Sequence, residues 1–519
     1  MKAASTPLFG RASTAVIYGF LATTVLIPIF SVRVPCLGDY LNHLARIHIL
    51  LTIPRSPALQ QFYDPHWHLV PYLGMDLFIA AAAQFMDIYA AGRLFIATCV
   101  MMPVIAAGTL HYALYRRIGL APVLAFLLCY NFDLALGFVN YLFSACLAIM
   151  LFAGWIACAG WPVWRRGVVF AAATPILFLS HSFAFPVYGL LVLGWELAQF
   201  TPRHEWRKLT TSTAAAALQI FPPLVLNVML RAQGTFGHDK ITLYGSPPDR
   251  IAAYLSPIYF PGPVFLAPAI LAALLIALWL AGRPQIPKPI ILPLALTIAA
   301  ALAAPHVLLN IWGTDLRMPL VAAILLTGAA VPSPTLTRRR ATVILAGLAA
   351  LMVTRAETTC QLLRGLDAQI AQIREVVSVL PLSQRVLLIQ GPQNAPAQLA
   401  PRGEVQHMGL VAAIDRDSFI PTLFVGTTPL RLLETMQNST SQGVQPIGFN
   451  ELEQGDGATP ATTQLPDSGY GGQQYWLGWP QKFDDVLVIN FGGVIPALPS
   501  KLHKIAGNQT ASLYRISAE

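Results

Sequence analysis

Charge is what this sequence has least of. Of its 519 residues, 11% are Asp, Glu, Lys or Arg, while 55% are apolar. Soluble domains carry about 25% charged residues, so the shortfall excludes a soluble enzyme of this length. A bilayer imposes such a deficit, because a charge at the centre of a spanning helix costs about 2.5–3.5 kcal/mol on insertion scales. Acidic residues are scarcer than basic ones, 24 against 33, which gives a formal net charge of +9. No basic run is interleaved with aromatics, so the excess reads as membrane anchoring rather than a nucleic-acid groove. Cysteines are also few. The six are scattered, without a CxxC or a Cys/His pair at metal spacing, which sets a zinc site aside. Four lie in apolar runs as packing residues. Cys36 and Cys360 both fall just outside the membrane, where a disulfide and two free thiols are both open. No GxSxG, SxxK or P-loop pattern stands where it would support a nucleophile or a nucleotide pocket.

Long apolar runs are what the chain has instead. Spans are expected at roughly 14–32, 91–115, 120–131, 135–158, 167–181, 183–200, 209–230, 263–282, 289–309, 316–332 and 341–356. The first follows a short basic stretch, is long for a signal-peptide core and lacks a small-x-small cleavage site, so it reads as an uncleaved span. With eleven spans the basic clusters (Lys2 and Arg11, Arg116 and Arg117, Arg165 and Arg166, Arg203 to Lys208, Arg283 and Lys288, Arg338 to Arg340) all fall on the side of the N-terminus. The positive-inside rule makes that side cytoplasmic and the C-terminus external. Counting 72–86 as a span would reverse every later cluster, so that segment is expected to be an interfacial or re-entrant helix. Spans three, five and ten are short for a bilayer of about 30 Å.

The expected architecture is a polytopic α-helical membrane protein of about eleven spans with a C-terminal soluble α/β or α+β domain. Residues 1–358 form the transmembrane domain, with a first external loop at 33–90 carrying interfacial helices. Residues 359–519 form an extracytoplasmic domain, large enough at about 155 residues for its own core. Within it LLRGLDAQIAQIREVVSVL reads as an amphipathic helix, and RVLLIQ, FIPTLFV, DDVLVINF and SLYRI as strands. Asn438 and Asn508 open sequons that chance explains equally well.

Polar residues sort by side. Asp39, His43, Arg46, Asp64, His66, His68, Asp76 and Asp87 lie in or near the first external loop. Asn131 and Asp133, His181 and Ser182, and His306, Asp315 and Arg317 lie at later external turns. Cytoplasmic turns carry mainly Arg and Lys. Ionisable groups at membrane depth are functional candidates, so the pattern points to an externally facing site. In YLNHLARIHILL, Tyr40, Leu44, Ile47 and Leu51 share one helical face, as in a helix lying on the membrane surface. Asp39, His43 and Arg46 fall at i, i+4 and i+7 and share another. A carboxylate, an imidazole and a guanidinium so placed make an acid/base site beside an anion clamp. The plainer readings are that Asp39 caps the helix, that His43 satisfies a loop backbone and that Arg46 snorkels. For Asp315 and Arg317 the plain reading is a mutual salt bridge, and the functional one a lipid phosphate on Arg317. His181 and Ser182 read as a polar helix junction or an acceptor-binding patch, and His66-Trp67-His68 as part of an aromatic belt.

One N-terminal span, an acidic residue soon after it, interfacial helices, many further spans and a C-terminal α/β domain together resemble the GT-C superfamily of polyprenyl-phosphate-sugar glycosyltransferases. The stretch VPYLGMDLFIAAAAQFMDIYAAGRLF at 70–95 is similar to the family's "PPL…fG…fa.R" pattern, without its double proline. DYLNHLAR at 39–46 looks like a motif of bacterial membrane proteins grouped with these enzymes, although Asp39 lacks the adjacent acidic partner that many members have. The likeness covers the whole chain in architecture and about 35–95 in motif. It implies an inverting glycosyltransferase of the bacterial inner membrane that transfers a hexosyl or pentosyl group. The donor is a sugar on a polyprenyl phosphate, and the acceptor an extracytoplasmic glycan, lipid or protein of the cell envelope. Asp39 would be the general base with His43 beside it. Arg46, Asp76, Arg93, His181, Asp315 and Arg317 would bind substrate, with Arg46, Arg93 or Arg317 on the leaving phosphate. No resident metal is assigned; some relatives use a divalent ion, and that cofactor stays open. The competing readings are a lipid or polysaccharide transporter or flippase, a polysaccharide polymerase or ligase, and a non-catalytic membrane assembly protein with an external domain.

Overall fold

The structure is a computed structural model that describes residues 8–65, 69–199, 206–232, 241–309, 311–391, 406–425, 428–440, 446–457 and 474–517. His66, Trp67 and His68 lie outside the described residues. The chain divides into two compact units. The first holds Met1–Ser31, Pro71–Met75 and Leu94–Cys360; the second holds Val32–Val70, Asp76–Arg93 and Gln361–Glu519.

In chain order the helices are α1 (Arg11–Phe30), α2 (Tyr40–Thr52), α3 (Gly74–Ala82), α4 (Ile88–Tyr115), α5 (Phe132–Ala135), α6 (Val139–Ala157), α7 (Val163–Ser180), α8 (Ala184–Ala198), α9 (Trp206–Leu218), α10 (Phe221–Ala232), α11 (Pro247–Ala253), α12 (Leu266–Ala281), α13 (Lys288–Ala303), α14 (Thr314–Ala329) and α15 (Arg338–Val377). Among the described residues six stretches are long and apolar enough to cross a membrane by length and composition, and four shorter apolar ones accompany them. The nine residues of α3 rise about 13 Å, well short of a bilayer. Three features differ from expectation. The apolar run at 120–131 forms a 3₁₀ segment, Ala121–Leu128, instead of an α-helix. The run at 209–230 breaks between α9 and α10, before Pro222 and Pro223. The last span and the amphipathic helix after it are one 40-residue helix, α15, because nothing from Arg338 to Val377 is a Pro and its polar second half keeps the helical period.

Helices of the first unit touch through small residues. A Cβ on Gly194 of α8 would stand 2.8 Å from the Pro293 backbone of α13, and one on Gly328 of α14 would stand 2.9 Å from the Ala107 carbonyl of α4. Small residues allow such approach where apolar burial between helices offers little driving force. The 3₁₀ segment poses a different problem, since a long 3₁₀ run is poorly hydrogen-bonded. Arg355 of α15 answers it. Its buried guanidinium donates to the carbonyls of Leu127 (2.7 Å), Tyr130 and Ile258 (2.8 Å).

The second unit carries the largest sheet among the described residues. A four-stranded sheet runs in the order β4 (Val386–Gln390), β6 (Asp485–Ile489), β8 (Ala511–Ile516), β7 (Leu502–Gly507). The pair β4–β6 is parallel and the other two antiparallel. Strand β6 is buried along its whole length, its four apolar residues following Asp485, which pairs with Arg515, while the edge strand β7 is mostly exposed and has a register shift between Lys504 and Ala506. In the same unit β1 (Tyr63–Pro65) pairs antiparallel with β5 (Leu430–Leu432). A two-stranded ladder in the first unit joins β2 (Val307–Leu308) to β3 (Ile311–Trp312). Short helices α16 (Val411–Arg416), α17 (Phe449–Gly455) and α18 (Trp479–Lys482) complete the second unit. FIPTLFV is not a strand: only Phe419 bridges to Arg385, and the segment turns at Pro421. All six cysteines are free thiols.

Removing the Arg355 guanidinium leaves three buried carbonyls without their donor, each worth about 1–3 kcal/mol. Arg355→Met should therefore lower the thermal midpoint of the detergent-purified protein sharply. Arg355→Lys, with three donors but no planar fork, should recover part of the loss. An unchanged midpoint in Arg355→Met would count against this role.

Candidate functional site

In the second unit, helix α2 gathers most of the polar residues of the first loop. Asp39 is its N-cap residue, yet the side chain makes no capping bond. It is one-third exposed, and one carboxylate oxygen lies 3.5 Å from Nε2 of the buried His407. Asn42 fixes that histidine. Its Oδ1 accepts from the Phe424 N–H at 2.7 Å, which orients the amide, and its Nδ2 then donates to the Thr422 carbonyl at 2.8 Å and to His407 Nδ1 at 3.2 Å. With Nδ1 accepting, the His407 proton sits on Nε2, directed at Asp39.

Arg46 and Asp76 form a buried pair, 3% and 1% exposed, with both carboxylate oxygens on Nη2 at 2.7 and 2.8 Å. Arg46 Nη1 also donates to His43 Nδ1 at 3.3 Å, and the rings of His43 and His407 both lie against Phe424. Burial and then the Arg46 charge push the His43 imidazole down to about 3, with Asp39 opposing, so His43 is neutral at pH 7. Arg93 donates to the Val32 carbonyl at 2.8 Å. Asp39, His43, Arg46 and Asp76 are thus brought together, and His407 joins them. Nothing in the sequence pointed to His407, which lies 365 positions from Asn42.

In the first unit, Arg317 of α14 lies over the rings of Phe138, Tyr141 and Phe183, with centroids at 4.6, 5.2 and 5.8 Å, and donates to the Trp312 carbonyl at 3.2 Å. It does not pair with Asp315. That carboxylate binds His306 Nδ1 at 3.0 Å, because the β2–β3 turn carries His306 back over the start of α14. Among the described residues an acid near Arg317 is Asp133, buried, with neither carboxylate oxygen hydrogen-bonded. His181 ends α7 and packs edge-on to Tyr72 and Tyr141. Tyr72 has a φ of 115°, held by its own N–H and that of Leu73 on the Leu179 carbonyl. Among the described residues no group of three or more His, Cys, Asp or Glu is arranged to hold a metal ion.

No family model and no curated protein sequence matches the chain. Solved structures do. ArnT from Cupriavidus metallidurans in the apo state aligns over 97% of this chain and 98% of its own, with a TM-score of 0.53 and 10% identity. The same protein bound to undecaprenyl phosphate gives 0.51 and 11% over the same shares. This chain has the ArnT fold. The helical architecture with a C-terminal sheet region expected from the sequence is the one observed, and at such low identity the likeness is one of fold. With its apolar helices, the ArnT fold makes this an integral membrane protein with a small C-terminal sheet region.

Breaking a buried pair from one side costs about 3–5 kcal/mol, more than removing both partners. Arg46→Met should destabilise strongly, and adding Asp76→Leu should restore much of the loss in a thermal double-mutant cycle; additive losses would argue against the pairing. The pH response has a definite sign. Below pH 6.5 the unfolded chain protonates His43 while the folded protein resists down to about 3, so the unfolded state binds more protons. His43 therefore subtracts stability progressively as pH falls through that window. His43→Gln should flatten the midpoint between pH 6.5 and 4 relative to wild type.

Proposed function

We propose that this chain is an inverting membrane glycosyltransferase that moves a sugar from a polyprenyl-phosphate carrier to an extracytoplasmic acceptor, with Asp39 as general base. The observation that carries the reading is Asp39 itself: a one-third-exposed carboxylate at a helix start whose side chain caps nothing, beside a buried and oriented histidine. The other acid of that cluster, Asp76, is consumed by Arg46. The ArnT fold supports the reaction class, and one of the two ArnT structures holds undecaprenyl phosphate.

In the proposed step Asp39 takes the proton of an acceptor hydroxyl as that oxygen attacks the anomeric carbon. The bond from that carbon to the phosphate oxygen breaks, and polyprenyl phosphate leaves with the electron pair. One displacement inverts the centre. His407 Nε2–H holds the carboxylate oriented, and the neutral His43 serves as a hydrogen-bond donor rather than as an acid. Arg46, neutralised by Asp76, positions α2. Arg93 donates to the Val32 carbonyl and has no acidic partner in a salt bridge among the described residues, which suits it to anion binding. In the first unit, Arg317 in its aromatic cage is assigned to a lipid phosphate, with His181 and Asp315 as polar neighbours of that cluster. We read the whole as a cell-envelope enzyme of about eleven spans, N-terminus cytoplasmic, with residues 359–519 periplasmic. One observation favours transport instead: Asp133 is a buried carboxylate without hydrogen bonds in the membrane protein, as in a proton relay.

The test is transfer of radiolabelled sugar from a panel of polyprenyl-phosphate sugars by membranes containing wild type or Asp39→Asn. Transfer by wild type that drops at least about a hundredfold in a normally inserted Asp39→Asn protein supports the assignment. Full transfer by the variant removes Asp39 as base. Absence of transfer from every donor would favour the transport reading centred on Asp133.

A further inference from the structure

An apolar cleft of about 200 Å³ in the first unit takes no part in the proposed reaction. Leu127 of the 3₁₀ segment, Ala277 and Leu280 of α12, and Ile344, Gly347 and Leu351 of α15 line it. A Cβ on Gly347 would meet nothing within 4 Å, so the cleft is open there. From Val343 to Leu351 it follows α15 for eight residues, about 12 Å. The neighbouring side chains of Ile276 and Val343 are more than half exposed, as on a surface that faces lipid.

What stands at one end gives the cleft its chemistry. Helix α12 ends at Ala281, and Gly282 turns the chain at a φ of 74°. A Cβ on Gly282 would lie 3.2 Å from Ser333, and Gln285 pairs with Val331. The end of α12 is thereby fastened to the segment that leads into α15. That places Arg283, three residues past Leu280, at the same end as Arg338, Arg339 and Arg340, which open α15 just before Val343. All four arginines are exposed. Arg338 lies over the Phe9 ring. Among the described residues the side chains of Arg283, Arg339 and Arg340 have no hydrogen-bond or ion-pair partner, and neither 266–288 nor 331–347 contains an acid.

We propose that this cleft binds one acyl chain of an anionic phospholipid whose headgroup is held by Arg283, Arg339 and Arg340. An apolar slot between membrane helices, with unneutralised guanidinium groups beyond one end, matches an apolar chain with a negative head. Its run of about 12 Å along α15 matches part of one acyl chain. The proposal needs membrane insertion but not glycosyl transfer, and the two fail separately.

The experiment is native mass spectrometry of the delipidated full chain in detergent, titrated with dioleoyl phosphatidylglycerol, dioleoyl phosphatidylcholine or undecaprenyl phosphate. Wild type should retain one phosphatidylglycerol at least about tenfold more tightly than phosphatidylcholine. The triple variant R283Q/R339Q/R340Q should reduce that preference to within about twofold. Gly347→Phe, which fills the open space, should abolish the tight site with an unchanged thermal midpoint; if it fails to fold, Ile344→Trp tests the same volume. Equal binding of the two phospholipids by wild type, unaltered binding by the filled variant, or displacement of phosphatidylglycerol by equimolar undecaprenyl phosphate would each overturn the proposal.

Discussion

Inside a bilayer every backbone polar group has to find its partner within the protein. The first unit does not meet that demand with regular helices alone. Its third apolar run is wound as a 3₁₀ segment, and the chain leaves helical geometry again before Ser256 and Tyr259. A single guanidinium repairs both places. Arg355 ties carbonyls of the 3₁₀ segment and its exit to the Ile258 carbonyl, so a cation in an apolar helix becomes a structural cross-tie rather than a burden.

The second unit solves a related problem with charge. Burying α2 against its neighbours takes Arg46 and Asp76 out of water, and their mutual pairing keeps that tolerable. Asn42 uses its oxygen and both amide hydrogens, so that the loop at Thr422–Phe424 and the ring of His407 are set together. With Asp76 paired to Arg46, Asp39 is the carboxylate of the cluster that stays part-exposed. The reactive character proposed for it follows from that difference between the two acids.

Much of this was legible in the sequence. The spacing of Asp39, His43 and Arg46 predicted a shared face because helical periodicity is local information, and α2 forms with those three side by side. The apolar runs predicted β4, β6 and β8 for the same reason. What escaped needed long-range geometry. His407 meets Asp39 only through the fold of a remote segment. Asp315 and Arg317 are two residues apart and read as partners, yet the β2–β3 pairing brings His306 to the acid, while the guanidinium lies over three aromatic rings and donates to the Trp312 carbonyl. Strand β7 was missed because an exposed edge strand, LHKIAG, carries too few apolar residues to signal itself. Composition also failed to show that α15 continues unbroken, since the end of an apolar run is not the end of a helix.

The Arg355 cross-tie has a consequence for the order in which this protein can mature. Its carbonyl partners at Leu127 and Tyr130 precede it by 228 and 225 residues. At a synthesis rate of about 5–20 residues per second, the arginine leaves the ribosome roughly 10–50 s after they do. For that interval the 3₁₀ segment lies without its donor, and its eight residues are too few to be stable in lipid alone. The nascent chain therefore has to be sheltered, by the insertion machinery or by water at the translocon, until its last apolar helix arrives.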